Sequence, residues 1–341
     1  MGSESVREER GMTMTTLLTP KKSAILPLHT DAQQDFENRQ HYSTATGSID
    51  WEHPQHSGNA DCSHPLPIIF TWESDAAESK FELSEFPDFS CATVRIMADN
   101  TVTLENFKIG TRYFWRVNDS EVFDFITEDI APRWIHCEGP SNIRDMGGWK
   151  TKDDRRIKQG LIYRGGEMDS HYKAGADGLR VMREELGIKT DLDLRRGADE
   201  LFPEHPLGDS VKYILSPVDG YNQYIDQKHE CKPVMEVLAD ESNYPVYFHC
   251  HGGADRTGTV AFMLEALLGV EEADLMLDYE LTTLSIWGER CRNMEPVQVM
   301  LNMLRAYGKE GDDWQTLVEN FFRDCGISDE TMEKLRANLL E

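Results

Sequence analysis

A cysteine followed by an arginine six positions later is the pairing in this sequence that could carry covalent chemistry. Cys250 and Arg256 lie within residues 247–259, which read YFHCHGGADRTGT. A cysteine has such an arginine by chance roughly one time in twenty at average composition, and among the seven cysteines only Cys250 has one. The pairing therefore indicates a site only if the surrounding residues agree with it.

The residues around this pair predict a cradle for a phosphate-sized anion. An apolar strand ends at His249, two glycines follow, and a helix of mostly apolar residues begins near Thr257. A glycine-rich turn that enters a helix directs several backbone N–H groups at one point, where an anion satisfies them. The predicted phosphate-binding residues are His251, Gly252, Gly253, Ala254, Asp255 and Arg256.

The side chains around the cradle have predicted roles in catalysis. The loop amides and the helix dipole favour the thiolate of Cys250, which is an in-line nucleophile for bound phosphorus. Arg256 supplies a planar fork that grips two phosphate oxygens. Thr257 is expected to steady either the sulfur or the leaving phosphate with its hydroxyl. His249 is expected to hydrogen-bond the backbone near Cys250 and tune it, and a core histidine is the plainer interpretation.

The loop resembles that of the protein tyrosine phosphatase superfamily, and more closely that of a bacterial group whose loop reads HCxxGxDRTG. Three other segments resemble the same group: residues 142–148 (NIRDMGG), 160–165 (GLIYRG), and 268–270 (LGV) with Asp278 and Tyr279 following. The resemblance covers about residues 132–341 and implies an enzyme acting on phosphotyrosine or phosphoinositides. Many members carry Lys where this chain has Ala254, which removes a cation and disfavours highly charged inositide head groups.

The reaction also needs a general acid for the leaving oxygen, and two aspartates compete for this role. Asp255 resembles the residue proposed as the acid in the bacterial group, and we favour it. Asp219 lies on a loop after a strand, as does the mobile acid of other superfamily members. Both have plainer interpretations, because Asp255 would also cap the helix and Asp219 would also form a turn with Gly220.

Other polar residues in the family-like segments are interpreted as scaffold. Asp193 and Arg195 resemble the family's Asp-Leu-Arg segment, and an ion pair at the sheet edge explains both. Three further residues are interpreted in the same way: Arg144, Asp145 and Arg164. Trp287 is expected in the core, with a lid over the site as the alternative.

The chain from residue 132 to 341 alternates short apolar strands with helical segments. This pattern predicts an α/β fold, in which helices flank a central and mostly parallel sheet. The predicted strands are residues 156–157, 161–163, 189–194, 212–215 and 246–249. The predicted helices cover about 173–186, 221–241, 257–268, 271–284, 294–307, 313–324 and 329–340, and the last four would form a helical C-terminal part.

Residues 61–131 carry six short alternating segments separated by turn residues, which predicts a small all-β sandwich ahead of the catalytic domain. Trp72 and residues 110–117 (GTRYFWRV), followed by 125–127 (FIT), resemble a fibronectin type III domain. An unrelated sandwich, or an extension of the next domain's sheet, is the alternative. Residues 1–60 are polar and are expected to form a partly ordered N-terminal arm.

Composition and charge limit the expected partners and location. The net charge of -26 argues against nucleic acid, because binding its backbone needs a surplus of Lys and Arg. The sequence contains no apolar run of about 18 residues, so we expect no transmembrane segment. The first residues lack the apolar core of a secretion signal, so a cytoplasmic location is expected, with a lost leader as the alternative. Scattered cysteines predict free thiols, and no metal or cofactor is expected.

The sequence thus predicts a cysteine-dependent phosphatase that works through a phosphocysteine intermediate, with a protein tyrosine phosphatase as the leading interpretation. Its substrate would be a phosphorylated protein or peptide. An inositol phosphate or phosphoinositide phosphatase is the first alternative. A phosphate-binding adaptor without turnover is the second, although an inactive protein has no physical need for a thiolate at Cys250. The sandwich is a candidate contact surface for a protein partner.

Overall fold

The computed structural model describes residues 14–46, 61–170, 173–196 and 205–341. These residues form two compact units, which the chain enters alternately. One unit lies within Met1–Leu28 and Leu66–Asp129, and the other within His29–Pro65 and Ile130–Glu341. In these ranges no helix is both long and apolar enough to cross a bilayer.

The first unit consists of two β-sheets with an aromatic core between them. Its strands are β1 (Thr15–Thr19), β2 (Ala24–Leu26), β3 (Ile68–Ser74), β4 (Ser79–Ser84), β5 (Thr93–Met97), β6 (Thr101–Leu104), β7 (Arg112–Val117) and β8 (Phe123–Thr127). The sheets have the orders β1-β3-β6 and β2-β8-β7-β4-β5. Phe70 of one sheet contacts Phe81 and Trp115 of the other, with ring centroids 5.0 and 5.2 Å apart. The predicted small sandwich is therefore present, and its likeness to fibronectin type III stays a prediction.

Part of the segment predicted as a polar arm contributes to both units. β1 pairs with β3 antiparallel, and β2 pairs with β8 parallel. Helix α1 (Asp31–Thr46) belongs to the second unit, where Phe36 joins the main hydrophobic core. The structure differs from the prediction here because α1 has few apolar residues and so shows no amphipathic stripe. Residues 1–13 and 47–60 of the predicted arm lie outside the described residues.

The second unit is built on a six-stranded sheet of order β13-β12-β14-β11-β10-β9. The strands are β9 (Arg133–Trp134), β10 (Arg144–Asp145), β11 (Ile162–Gly165), β12 (Thr190–Asp193), β13 (Lys212–Leu215) and β14 (Val246–His249). β14 lies between β11 and β12 and is parallel to both, and β12 is parallel to β13. The antiparallel pairs in this sheet are those that the short strand β10 makes with β9 and with β11. The predicted mostly parallel sheet is therefore confirmed, with residues 156–157 forming isolated bridges instead of a strand.

Helices pack around this sheet, as expected for an α/β fold. They are α2 (Ala176–Arg180), α3 (Tyr221–Asp226), α4 (Lys228–Ala239), α5 (Arg256–Leu268), α6 (Glu272–Glu280), α7 (Glu295–Arg305), α8 (Trp314–Asp324) and α9 (Asp329–Leu339). A π-helical turn, Val181–Glu185, continues α2, and a 3-10 turn, Leu281–Leu284, continues α6. The helix predicted over 221–241 is divided at Gln227, whose φ of -97° and ψ of 54° are not helical.

Helix α5 is buried along nearly its whole length. Every residue from Thr257 to Leu268 is buried, which explains its almost uniformly apolar sequence. It follows β14, the strand between β11 and β12, after the six residues 250–255. The loop thus lies where the carboxyl ends of parallel strands meet, which is the usual ligand-binding edge of such sheets.

Candidate active site

Residues 250–255 form a tight loop between β14 and the N-terminus of α5. Gly253 has a φ of +64°, and a Cβ atom there would lie 2.3 Å from the carbonyl carbon of Gly165. Only glycine fits this position, because both the backbone angle and the close approach exclude a side chain. Gly252 and Ala254 are likewise buried, so the loop presents backbone atoms more than side chains.

Cys250 lies at the start of this loop and is 3% exposed. Burial by itself raises the pKa of its thiol, but other groups outweigh that effect and lower the pKa below its ordinary value. These groups are the charge of Arg256, the hydroxyl and N–H of Thr257, and the N–H of Gly253. The residues predicted around the cysteine therefore converge on its sulfur, and they favour the thiolate.

Arg256 is the first residue of α5 and is partly buried. Its charge lowers the pKa of Cys250 and also that of Asp219 and Asp255. Within the part of the chain that the structure describes, no hydrogen bond or ion pair engages the Arg256 guanidinium. Its five donors are therefore available to an anion bound at the loop.

The outer side of the loop is held by side chains from the family-like segments. Asn142 Nδ2 donates to the carbonyl oxygen of Gly252 at 3.0 Å, and Arg164 Nη2 donates to that of Gly253 at 3.0 Å. Arg164 and Arg144 both pair with the buried Asp278. Burial alone would raise the pKa of Asp278, but the two guanidinium groups outweigh it and lower the pKa. In this structure Arg144 and Arg164 thus hold backbone and an acidic partner, which agrees with a scaffold role.

The three remaining residues predicted as scaffold, Asp145, Asp193 and Arg195, have similar surroundings. Asp145 pairs with Arg133 at 3.0 Å and accepts from the N–H of Gly147 at 2.8 Å. Asp193 pairs with Arg195 at 2.8 Å at the end of β12. Arg195 also contacts two further carboxylates, Glu167 and Asp169, each at 2.8 Å.

Asp255 immediately precedes α5, but its side chain does not cap the helix. Its carboxylate accepts from Arg290 Nε at 2.7 Å and Nη2 at 3.2 Å, and from the hydroxyl of Tyr221. Burial raises the pKa of Asp255, but Arg290 and Tyr221 outweigh it and lower the pKa. The lowered pKa favours the ionised form, and the carboxylate is 43% exposed to solvent.

Asp219 lies on the loop between β13 and α3, next to the phosphate loop. A Cβ atom on the following Gly220 would lie 3.3 Å from the backbone nitrogen of Arg256. Arg196 donates to Asp219 at 3.0 and 3.2 Å, and Gln227 Nε2 donates to it at 2.6 Å. The bond from Arg196 is the largest cause of the lowered pKa of Asp219. Both candidate acids therefore lie beside the loop, and an arginine holds each of them.

The two histidines on either side of Cys250 have different environments. His249 is buried, and its Nε2 lies 3.0 Å from Asp191 while its Nδ1 lies 3.1 Å from the carbonyl oxygen of Cys250. Burial lowers the pKa of His249, but Asp191 raises it to about 9. His251 is 49% exposed, and its Nδ1 lies 2.6 Å from the buried Glu167. His251 therefore stands at the mouth of the loop and His249 beneath it.

Sequence reasoning missed three residues that contact the loop: Arg290, Tyr221 and Glu167. Arg290 is 35 positions from Asp255, and Glu167 is 84 positions from His251. No local pattern connects residues so far apart. Tyr221 has a φ of +56°, and its N–H donates to Thr259 Oγ1 at 2.8 Å, a contact that only the folded chain reveals.

Comparison with known proteins places this site in a family. A model of the tyrosine phosphatase family matches residues 135–341, which is more than half of the chain. The chain belongs to the tyrosine phosphatase family. The matched region contains the loop, both candidate acids and the side chains that hold the loop.

Two curated relatives share part of this sequence. A Cupriavidus necator protein, provisionally named a tyrosine-protein phosphatase, is 27% identical over 165 residues, which cover 41% of this chain and 59% of the relative. A tyrosine-protein phosphatase of Nostoc commune is 28% identical over 127 residues, which cover 30% of this chain and 43% of the relative. The matches thus span less than two thirds of either relative's length.

Solved structures show weaker similarity. TpbA of P. aeruginosa is 18% identical with a TM-score of 0.34, and the match covers 52% of this chain and 96% of TpbA. The core catalytic domain of the PP-IP phosphatase SIW14 from S. cerevisiae is 16% identical with a TM-score of 0.31, covering 44% and 90%. At these scores neither structure identifies a substrate for this chain.

Proposed function

We propose that this chain is a cysteine-dependent phosphatase that hydrolyses phosphate monoesters through a phosphocysteine intermediate. The observation that supports it best is the surroundings of Cys250: a buried thiol with a lowered pKa, at the start of a backbone loop that enters α5. Beside it lies the guanidinium of Arg256, which has no ion pair or hydrogen bond among the described residues. A thiolate in such a place can attack an atom that the loop amides and the arginine hold in line.

The reaction then takes two steps. The thiolate of Cys250 donates an electron pair to phosphorus, the bond from phosphorus to the ester oxygen breaks, and the leaving oxygen takes a proton from a carboxylic acid. Water next attacks phosphorus, gives a proton to the carboxylate, and the cysteine leaves as thiolate. The net change converts monoester and water into alcohol or phenol and inorganic phosphate. The loop N–H groups and Arg256 stabilise the charge on the three equatorial oxygens in both steps.

The proton donor remains a choice between Asp255, which we favour, and Asp219. Either carboxylate must be protonated before it can donate to the leaving oxygen, although Arg290 and Arg196 lower their pKa values in the structure. A bound dianionic phosphate next to the carboxylate acts in the opposite direction, because a nearby like charge raises a carboxyl pKa. We therefore expect the donor to take up its proton together with the substrate.

Phosphotyrosine in a protein or peptide is the substrate class that we favour. The charged side chains that flank the loop are already paired. The pairs are Asp255 with Arg290, Asp219 with Arg196, and His251 with Glu167. Ala254 occupies the position where a lysine would add a cation, and it is buried. Arg256 and the loop amides suffice for one phosphate, whereas an inositol with several phosphates would need further unpaired cations.

Replacement of the nucleophile and of the arginine tests this function. We expect Cys250→Ser to lower kcat by about 10⁴-fold or more, because a hydroxyl at this position is not ionised at neutral pH. We expect Arg256→Lys to lower kcat/KM about 10²–10³-fold, the usual effect of losing one preorganised donor. Phosphate release from phosphotyrosine peptides, inositol phosphates and phosphoinositides would be measured with malachite green.

The same panel decides among the alternatives. Release from inositol phosphates alone would favour the second substrate class. Tight binding of phosphopeptides by the wild-type chain without any release would favour a phosphate-binding adaptor. No release and no binding would contradict the proposal. We further propose a cytoplasmic location, which fits seven cysteines without a disulfide in the described residues, and a protein partner for the β-sandwich.

A further inference from the structure

One segment of the second unit, residues 285–290, touches the phosphate loop at two separated points. Trp287 contacts the loop at Gly252, and Arg290 contacts it at Asp255. The segment follows the 3-10 turn Leu281–Leu284 and precedes α7. Because its two contacts lie three residues apart on the loop, the segment runs along one side of the mouth.

Arg290 fixes the position of this segment. Its Nε and Nη2 donate to the two carboxylate oxygens of Asp255, at 2.7 and 3.2 Å. Its Nη1 donates to the carbonyl oxygens of Trp287 and Glu289, at 3.3 and 2.9 Å. Its backbone N–H donates to Thr283 Oγ1 at 2.9 Å. A bidentate, partly buried pair of this kind holds both partners in one geometry, so the segment is preorganised.

The indole of Trp287 lies against the backbone of the loop. A Cβ atom on Gly252 would lie 2.7 Å from ring atom Cδ2, and one on Gly166 would lie 3.4 Å from Nε1. Gly252 therefore leaves room for the ring to lie directly on the loop. Trp287 is neither fully buried nor fully exposed, so part of its large apolar ring is open to solvent beside the loop.

We propose that residues 285–290 form a recognition wall of the active site, in which Trp287 selects flat aryl phosphate esters such as phosphotyrosine. This inference rests on the proposed phosphatase function and names the substrate class of the same site. The wall offers the ring of a phenol an aromatic partner, and rings prefer offset-stacked or edge-to-face contacts with one another. A polar cyclitol ring gains nothing comparable from an indole. Arg290 acts as a positioning residue, since it holds the wall and not the substrate.

A comparison of phosphotyrosine with inorganic phosphate distinguishes the contribution of the wall to binding from that of the loop. Both ligands should bind the loop, but only phosphotyrosine has a ring that can contact the wall. We would measure the affinity of each ligand for full-length Cys250→Ser protein by calorimetry, and kcat/KM for a phosphotyrosine peptide in the active chain. We expect Trp287→Ala to weaken phosphotyrosine binding and lower kcat/KM roughly five- to tenfold, the effect of losing one aromatic contact. Phosphate affinity should change less than about twofold, because the loop amides and Arg256 are untouched.

Two variants control this experiment. Trp287→Phe keeps an aromatic ring and should recover most of the lost phosphotyrosine affinity. Val299→Ala removes an exposed apolar side chain of α7, 39% exposed and outside the site, and should change neither ligand's affinity. Equal losses for both ligands in Trp287→Ala would mean that Trp287 only supports the loop, and no loss would mean that it does not face the substrate. Either result overturns the wall. Absence of turnover in the wild-type chain would instead overturn the phosphatase function.

Discussion

Asp255 and Asp219, the two candidate general acids, have the same type of side chain but different neighbours. Asp255 belongs to the phosphate loop and is held by Arg290 and Tyr221, whereas Asp219 lies on a separate loop and is held by Arg196 and Gln227. The neighbours decide which carboxylate can change its protonation state during turnover. An acid that belongs to the loop moves little, so its distance to the leaving oxygen is set before the substrate binds.

Separate asparagine variants distinguish the two acids. We expect Asp255→Asn to lower kcat for a phosphotyrosine peptide about 10²–10³-fold, since a general acid contributes on that order. The fall in kcat towards high pH, where the acid is deprotonated, should disappear in the variant that lacks the donor. Asp219→Asn should keep this fall and lose much less activity. The opposite result in a pH series of kcat would assign the proton donor to Asp219.

His249 gives the fold a dependence on pH. Asp191 and Asp193 raise its pKa to about 9, although burial and Arg195 act against them. Since the ordinary value is about 6.5, the protonated ring stabilises the folded state fully below about pH 6.5, and this contribution is lost as the pH rises through about 9. We expect the free energy of unfolding of the wild-type chain to fall by on the order of 3 kcal/mol over this window, relative to His249→Gln.

Urea denaturation at about pH 6 and about pH 9.5 measures this difference, and the comparison with His249→Gln cancels the titration of other groups. The variant keeps a polar side chain of similar size beneath the loop. If both proteins lose the same stability between the two pH values, His249 is neutral in the fold and Asp191 does not hold it protonated.

At the level of strands and helices, the residue pattern predicts most of the elements, but it predicts few of the residues at which they begin and end. β13 and β14 have the bounds that the sequence predicts, residues 212–215 and 246–249. The segment predicted as one helix over 221–241 is divided, because Gln227 departs from helical angles while its neighbours keep the apolar spacing. Residues 173–186 were predicted as one helix, and there the α-helix ends at Arg180 and a π-helical turn follows. Such changes of hydrogen-bond pattern leave the spacing of apolar residues almost unaltered.

In the phosphate loop the structure agrees more closely with the prediction, because the residue types there allow few backbone conformations. Gly253 needs a positive φ and passes within contact of Gly165, and a strand and a buried helix stand on either side. These requirements appear in consecutive residues and can be read without knowing the fold. The wall at residues 285–290 has no such signature, because its packing against Gly252 depends on how α6 and α7 are connected in space.

Considered as one chain, the protein passes between its two units more than once. β1 and β2 belong to the sandwich, residues 29–46 and 61–65 belong to the second unit, which contains the candidate active site and is here called the catalytic unit, and Leu66 to Asp129 return to the sandwich. Gln33 Nε2 donates to the carbonyl oxygens of Cys62 and His64, both at 2.8 Å. The catalytic unit therefore includes residues that lie well before the family-matched region 135–341.

A core substitution in α1 tests this division. Phe36 is buried in the main hydrophobic core of the catalytic unit, so we expect Phe36→Ala to lower the free energy of unfolding of that unit by about 3–5 kcal/mol. Asn38→Ala, at an exposed position of the same helix, should change it by less than about 0.5 kcal/mol. Denaturation monitored by the loss of phosphatase activity reports on the stability of this unit. Equal stability of the two variants would show that α1 is not part of it.

The amino-acid sequence was enough to predict a loop between a strand and a buried helix at residues 250–255, Arg256 beside Cys250, and most strands and helices of the second unit, because each of these depends on residues within one or two turns of one another. Folding brought Arg290 to Asp255 over 35 positions, Arg196 to Asp219 over 23, and Asn142 to Gly252 over 110. These contacts set the charge on both candidate acids and the shape of the mouth. They arise from the topology of the sheet and its helices, and no spacing along the chain encodes such distances.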